Sequence, residues 1–326
     1  MNQKPAFAFL LLLLLTACET VIDVPEPPHT PRLALRYVLT SNPADTTFAE
    51  LYDQQRLFVS NSQRVFDTRQ LAGRTDARVE LRDESGAVVE VFRPDSGRAG
   101  WNPAYYSGRG YYRPTRGLVP RPGASYALKA SAPGFEDVSG RLTFPTAPAV
   151  TGGTFSPRPP ASNSSQRAGR LTLTVPDDPA AANFYIAYAR VIDAQGETVA
   201  VLDVDYDSQN SSVGIGQFQL SSPRQQYSVE PFSDAGANGQ ALTLAADVTY
   251  NPPYCPGQGA PCPVPAFIEV TVSALTRDTY DFYLSRRRYF DSDGNPFAEP
   301  APLASNLANG YGLFGASADT KVRIAL

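Results

Sequence analysis

The sequence predicts a mainly all-β protein built from two antiparallel β domains, the first an immunoglobulin-like sandwich and the second a β-sandwich-like domain with one helix near the carboxyl terminus. Three observations lead there. Apolar residues recur with a period of two along many short segments, the spacing at which a strand turns one face to a core. Turn residues interrupt these segments roughly every ten residues, as in sandwiches. The chain holds 17 Tyr and 17 Phe against one Met, a balance that suits sheets better than helical bundles. Its 326 residues point to about two domains, and 30 Pro and 24 Gly fall well short of the fraction that marks a disordered chain.

Residues 1–17 read as a lipoprotein signal peptide. Lys4 supplies a positive start, Ala6 to Leu15 is unbroken apolar sequence, and Leu15-Thr16-Ala17-Cys18 follows at once. The run is about half of the ~20 residues that a spanning helix needs, so a cleaved signal is expected. The ending resembles the bacterial lipobox, whose Cys is acylated and becomes the first mature residue. Cys18 is therefore the expected lipidation site and the protein's contact with the lipid bilayer. Residues 18–31, with Pro25, Pro27, Pro28 and Pro31, form an extended spacer.

The first domain is expected over residues 32–147. Leu33, Leu35, Tyr37 and Leu39 alternate with Ala34, Arg36 and Val38, and residues 56–66 repeat the pattern more weakly. Val79 and Leu81, a turn at Glu84-Ser85-Gly86, then Val89 and Val91 describe a hairpin. Residues 126–130 and 138–144, joined through Ala132-Pro133-Gly134, describe another. Residues 148–170, rich in Pro and Ser, read as a linker. The second domain, 171–326, carries strand patterns at 171–175, 184–192, 198–206, 213–220, 241–250 and 267–275. A helix follows at about 277–290, with an acidic first turn and a basic last turn. Tyr280, Tyr283, Leu284 and Arg287 are expected on its sheet-facing side.

A formal charge of −4 gives no footprint for nucleic acid. The one His, His29, lies in the spacer, which leaves little material for a metal centre or His-based catalysis, and no cofactor is expected. Carboxylate pairs such as Asp177-Asp178 keep a carboxylate hydrolase as a third-ranked reading behind non-enzymatic ones. Cys255 and Cys262, flanking Pro-Gly-Gln-Gly-Ala-Pro in an exported chain, are expected to form a disulfide. Gly310-Tyr-Gly312-Leu-Phe-Gly315 matches a dinucleotide fingerprint by letter only, with no helix or acidic partner after it, and is expected to bend the chain into a final strand. Asp291, Asp293 and Asn295 are the weaker calcium candidates, since Gly294 comes too early for an EF-hand. Asp203, Asp205 and Asp207 share one strand face, expected to be a wet edge or surface, with a bridging cation as the alternative. The richest segment holds Trp101, Tyr105, Tyr106, Arg109, Tyr111 and Tyr112. Such residues suit cross-strand aromatics covering a sheet, with a binding hot spot as the alternative.

Three stretches together carry a resemblance: Cys18-Glu-Thr-Val-Ile-Asp23, the strand 33–40, and the closing Phe297-Ala-Glu-Pro300 with Ser305-Asn306-Leu-Ala-Asn309 running into the glycine motif. With Leu275-Thr-Arg-Asp-Thr-Tyr280-Asp-Phe-Tyr283, they resemble the Bacteroidetes outer-membrane lipoproteins of domain-of-unknown-function family 4249 (DUF4249). The resemblance implies an outer-membrane lipoprotein, on the periplasmic or cell-surface face, often found beside a TonB-dependent receptor. It brings no established active-site residues. The expected function is an accessory subunit of such a receptor, aiding capture or uptake of a peptide or glycan. The alternative is a surface structural or adhesive lipoprotein that assembles by β-strand contacts.

Overall fold

Period-two burial builds the first strand: in β1 (Leu33–Thr40), Leu33, Leu35, Tyr37 and Leu39 enter a core while Ala34 and Arg36 face away. The computed structural model describes residues 28–41, 55–64, 67, 71–95, 109–159, 165–205, 217–218, 220–221, 229–253, 255, 262–292 and 302–326. After β1 come β2 (Leu57–Asn61), β3 (Arg78–Arg82), β4 (Val88–Pro94), β5 (Tyr111–Pro114), β6 (Ser125–Ser131) and β7 (Val138–Thr143). Their hydrogen-bonded order is β1-β2-β5-β4, continued through the β3–β4 hairpin into β3-β6-β7. This is the strand arrangement of a seven-stranded immunoglobulin sandwich, with first, second, fifth and fourth strands in one layer and third, sixth and seventh in the other. The two layers share a core that includes Tyr37, Leu81, Phe92, Tyr112, Leu128 and Phe144. Near the start of β6, the Tyr126 hydroxyl accepts the Arg121 N–H at 3.0 Å, the hydrogen bond of a tyrosine corner.

The second half opposes two sheets in the same way. One comprises β8 (Thr151–Arg158), β9 (Arg167–Val175), β12 (Asp203–Val204) and β15 (Leu242–Tyr250), with β13 (Gln217–Phe218) beside β15. The other side is an extension of the first sheet by β10 (Phe184–Ile192), β11 (Thr198–Val201), β14 (Phe232–Ser233), β16 (Phe267–Leu275) and β17 (Tyr311–Ala325). Leu173, Val191, Leu244, Val248, Ile268 and Val270 fill the core between them. Pairing is antiparallel except between β1 and β17 and between β13 and β15. The expected linker, 148–170, instead carries β8 and the start of β9. β8 is an edge strand with mostly exposed side chains, so it shows no hydrophobic alternation in the sequence.

β17 ties the halves together. It lies parallel to β1 and antiparallel to β16, placing Phe314, Ala316 and Ala318 in the first core and Ile324 in the second. The glycine motif makes this close approach feasible. Gly312 has φ 114°, and a Cβ there would lie 1.9 Å from the Leu35 carbonyl oxygen on β1. Gly315 leaves room for the helix, since its Cβ would lie 2.3 Å from Thr279 Oγ1.

The helix, α1 (Arg277–Ser292), packs Phe282 and Tyr283 with Val38, Ile186, Leu275 and Leu313. It runs two residues beyond the expected end, so Arg286, Arg287 and Arg288 fall short of the last turn, which holds no basic residue. Its buried side is also rotated from the expected one. Thr279, Phe282 and Tyr283 are buried, Tyr280 and Leu284 are half-buried, and Arg287 is exposed and paired with Glu230. The reason is Thr279: its hydroxyl accepts the Ala316 N–H of β17 at 3.0 Å and fixes the helix rotation. Among the described residues, no helix is long and apolar enough to cross a membrane.

Candidate functional site

The aromatic segment divides on strand alternation. Tyr112, on the inward side of β5, is 1% exposed and its hydroxyl accepts the Ala77 N–H at 3.0 Å. Burial raises its pKa, and the residue is core rather than contact surface. Tyr111 points the other way. Its ring meets Phe58 at 5.0 Å, the Arg56 guanidinium lies 4.6 Å over it, and Arg56 pairs with Asp95 at 2.5 Å. Arg109 is exposed in the turn entering β5. Trp101, Tyr105 and Tyr106 lie outside the described residues.

Register assembles a wider surface around Tyr111. Cross-strand pairing aligns Leu313 with Arg36, Arg36 with Phe58, and Phe58 with Tyr111. Arg113, two residues on, opposes Arg93 of β4 on the same face. At the other margin Arg32 lies 5.7 Å over the Tyr311 ring, which is 47% exposed. Helix α1 covers the Val38–Leu313 end of this face, and the rest is an open strip of arginines and aromatic rings. Arg93 and Arg113 are exposed and make no ion pair among the described residues. Planar cations over ring faces can stack on or form forked hydrogen bonds to anionic and polar groups.

The strip is braced from within. Glu90, 1% exposed, accepts the N–H groups of Val91, Thr115 and Arg116 on Oε1 and that of Leu118 on Oε2. Burial pushes its pKa up, but the four donors outweigh it and the net direction is down. The carboxylate thereby fixes the segment that follows Arg113.

A second exposed feature is the edge of β8. Among the described residues it pairs only with β9, and Thr151–Thr154 are exposed. A register shift between Thr151 and Gly153 interrupts its near end and Pro157 and Arg158 stand at its far end, while Thr154, Phe155 and Ser156 between them carry neither charge nor Pro. Arg158 binds Asp205 at 2.5 Å, and Arg170 reaches Asp247 at 3.1 Å across the β9–β15 pair. Asp205 is thus held in a cross-strand ion pair instead of at a wet edge, and Asp207 lies outside the described residues.

Cys255 and Cys262 are joined by a disulfide. Cys18, Asp293 and Asn295 lie outside the described residues, as does the Asp291 side chain, although residue 291 belongs to α1. Among the described residues, no group of three His, Cys, Asp or Glu side chains could hold a metal ion. Sequence reasoning missed Arg32, Phe58, Arg93 and Tyr311 as companions of Tyr111. The only local signal was the alternation of Tyr111 with Arg113; the rest came from long-range register.

A search of curated proteins gives no match to this chain. A family profile described as "Domain of unknown function (DUF4249)" matches residues 45–323, which cover the first sandwich apart from β1, the second sandwich, the helix and most of β17, and the chain therefore belongs to the DUF4249 family.

Proposed function

We propose that the protein is an outer-membrane lipoprotein, held to the bilayer through acylated Cys18, that serves as a non-enzymatic accessory subunit of a TonB-dependent receptor. It aids capture or uptake of a peptide or glycan. The observation that carries this reading is the outer edge of β8 on the double sandwich, which has no strand paired to it among the described residues. An extended receptor segment or peptide adds to such an edge as a further strand, with main-chain hydrogen bonds supplying affinity. The lipobox around Cys18 and the Pro-rich spacer support the tether.

The same edge favours a second reading, a surface structural or adhesive lipoprotein in which a strand of a neighbouring copy occupies β8. A mild-detergent pull-down of the tagged, acylated protein from its native membrane separates the two, with Cys18→Ala as control. The accessory role predicts recovery of a TonB-dependent receptor in near-stoichiometric amount. Recovery of the protein alone defeats it, and recovery of multimers favours the adhesive role.

A further inference from the structure

The charge of the chain is unevenly divided. Residues 32–147 hold 16 basic and 12 acidic side chains, a net of +4, whereas residues 148–326 hold 11 and 17, a net of −6. The open strip carries part of this basic excess on one sheet face: Arg32, Arg93 and Arg113 are exposed there beside Tyr111 and Tyr311, with Asp95 already engaged by Arg56. Arg32 is also the second residue of the folded unit that begins at Pro31, so the strip's margin lies where the spacer enters.

We infer that this strip rests on an anionic lipid surface and sets the orientation of the tethered protein, with the first sandwich down and the acidic second half turned away. The inference rests on the reading of Cys18 as the lipid anchor. From Cys18 to Pro31 the chain reaches at most about 3.5 Å per residue, which confines the strip to the neighbourhood of the headgroups. That confinement gives an effective concentration on the order of millimolar, so contacts that hold a free protein only weakly suffice to orient an anchored one. Arginines near an anionic surface are attracted within a Debye length, and amphipathic tyrosines settle at the headgroup level. The opposite sign of the second half adds a repulsion that favours the same pose. This leaves the β8 edge, on the acidic half, available for a protein partner.

The test is cosedimentation of the mature chain carrying Cys18→Ala, which lacks acylation, with vesicles of phosphatidylcholine alone or with about one-third phosphatidylglycerol. The three exposed arginines predict a preference for the anionic vesicles on the order of a hundredfold at low salt, lost near ~0.5 M salt. Arg93→Glu with Arg113→Glu abolishes that preference, while Arg167→Glu with Arg277→Glu in the second half leaves it. Equal binding to both vesicles, no binding, or indifference to the Arg93/Arg113 change overturns the inference. Binding to soluble polyglutamate but not to vesicles also overturns it, in favour of an acidic macromolecule. The acylated Arg93/Arg113 variant keeps the two proposals distinct. If the receptor is still recovered with wild-type protein while vesicle preference is absent, the orientation fails and the accessory role stands; the reverse pattern removes the accessory role alone.

Discussion

Glu90 shows how one residue can hold a surface in place from beneath it. Its carboxylate is buried yet anionic because four backbone N–H groups converge on it. Its folded pKa lies below the unfolded value of about 4.3. The resulting stability is therefore fully present above pH ~4.3 and is lost as pH falls through the folded pKa. Glu90→Gln turns an amide N–H₂ toward donors and should cost roughly 3 kcal/mol at pH 7. Urea denaturation from pH 7 to pH 3 should show the wild type converging on the variant in acid. A constant gap between the two curves would refute this account. Glu269 follows the same logic with side-chain partners: Arg190 at 2.5 Å and Arg323 at 3.1 Å keep its pKa down in spite of burial.

Among the elements, β17 and the disulfide loop give the sharpest expectations. Gly312→Ala combines a left-handed φ with a Cβ inside the Leu35 carbonyl. It should cost more than ~3 kcal/mol or prevent accumulation of folded protein, whereas Gly86→Ala, also at positive φ but in open space, should cost only ~1 kcal/mol. Denaturant midpoints compare the two directly, and equal losses would show that the β1–β17 approach is not the constraint. The Cys255–Cys262 bridge closes a loop between β15 and β16 with a sequence separation of 7. Replacing both with Ser should lower stability by roughly 2–3 kcal/mol through the unfolded chain. Thiol titration of the folded Cys18→Ala protein should find no reactive Cys, and two would remove the bridge.

At the scale of the whole molecule, the two halves are not independent bodies. The first core takes Phe314, Ala316 and Ala318 from the last strand, and β1 takes β17 as its neighbour. A chain ending at residue 147 loses those side chains and leaves β1 with an unpaired edge. It should therefore be aggregated or unfolded by circular dichroism, and the full chain should unfold in one cooperative transition. A well-folded fragment with its own transition would show that β17 is dispensable to the first sandwich.

Much of this protein is legible residue by residue. Period-two patterns fix β1, β6 and β15 because each turns one face to a core, β10 and β16 show as longer apolar-rich runs because both their faces are buried, and Thr276 with the acidic turn after it marks the helix start. The cysteine pair was equally clear from its spacing and flanking residues. Exposed β8 was invisible because an edge strand has no buried face to imprint on its sequence. Tyr112 could not be separated from Tyr111 until the pairing of β5 with β2 and β4 said which side was inside. The amino-acid sequence by itself determined the β class, most strands and the helix, since these are set by neighbours a few residues apart. Only the tertiary structure decided that the last strand completes the first core and that Arg32, Phe58, Arg93, Tyr111 and Tyr311 form one strip, because strand register joins residues as far apart as 34 and 311.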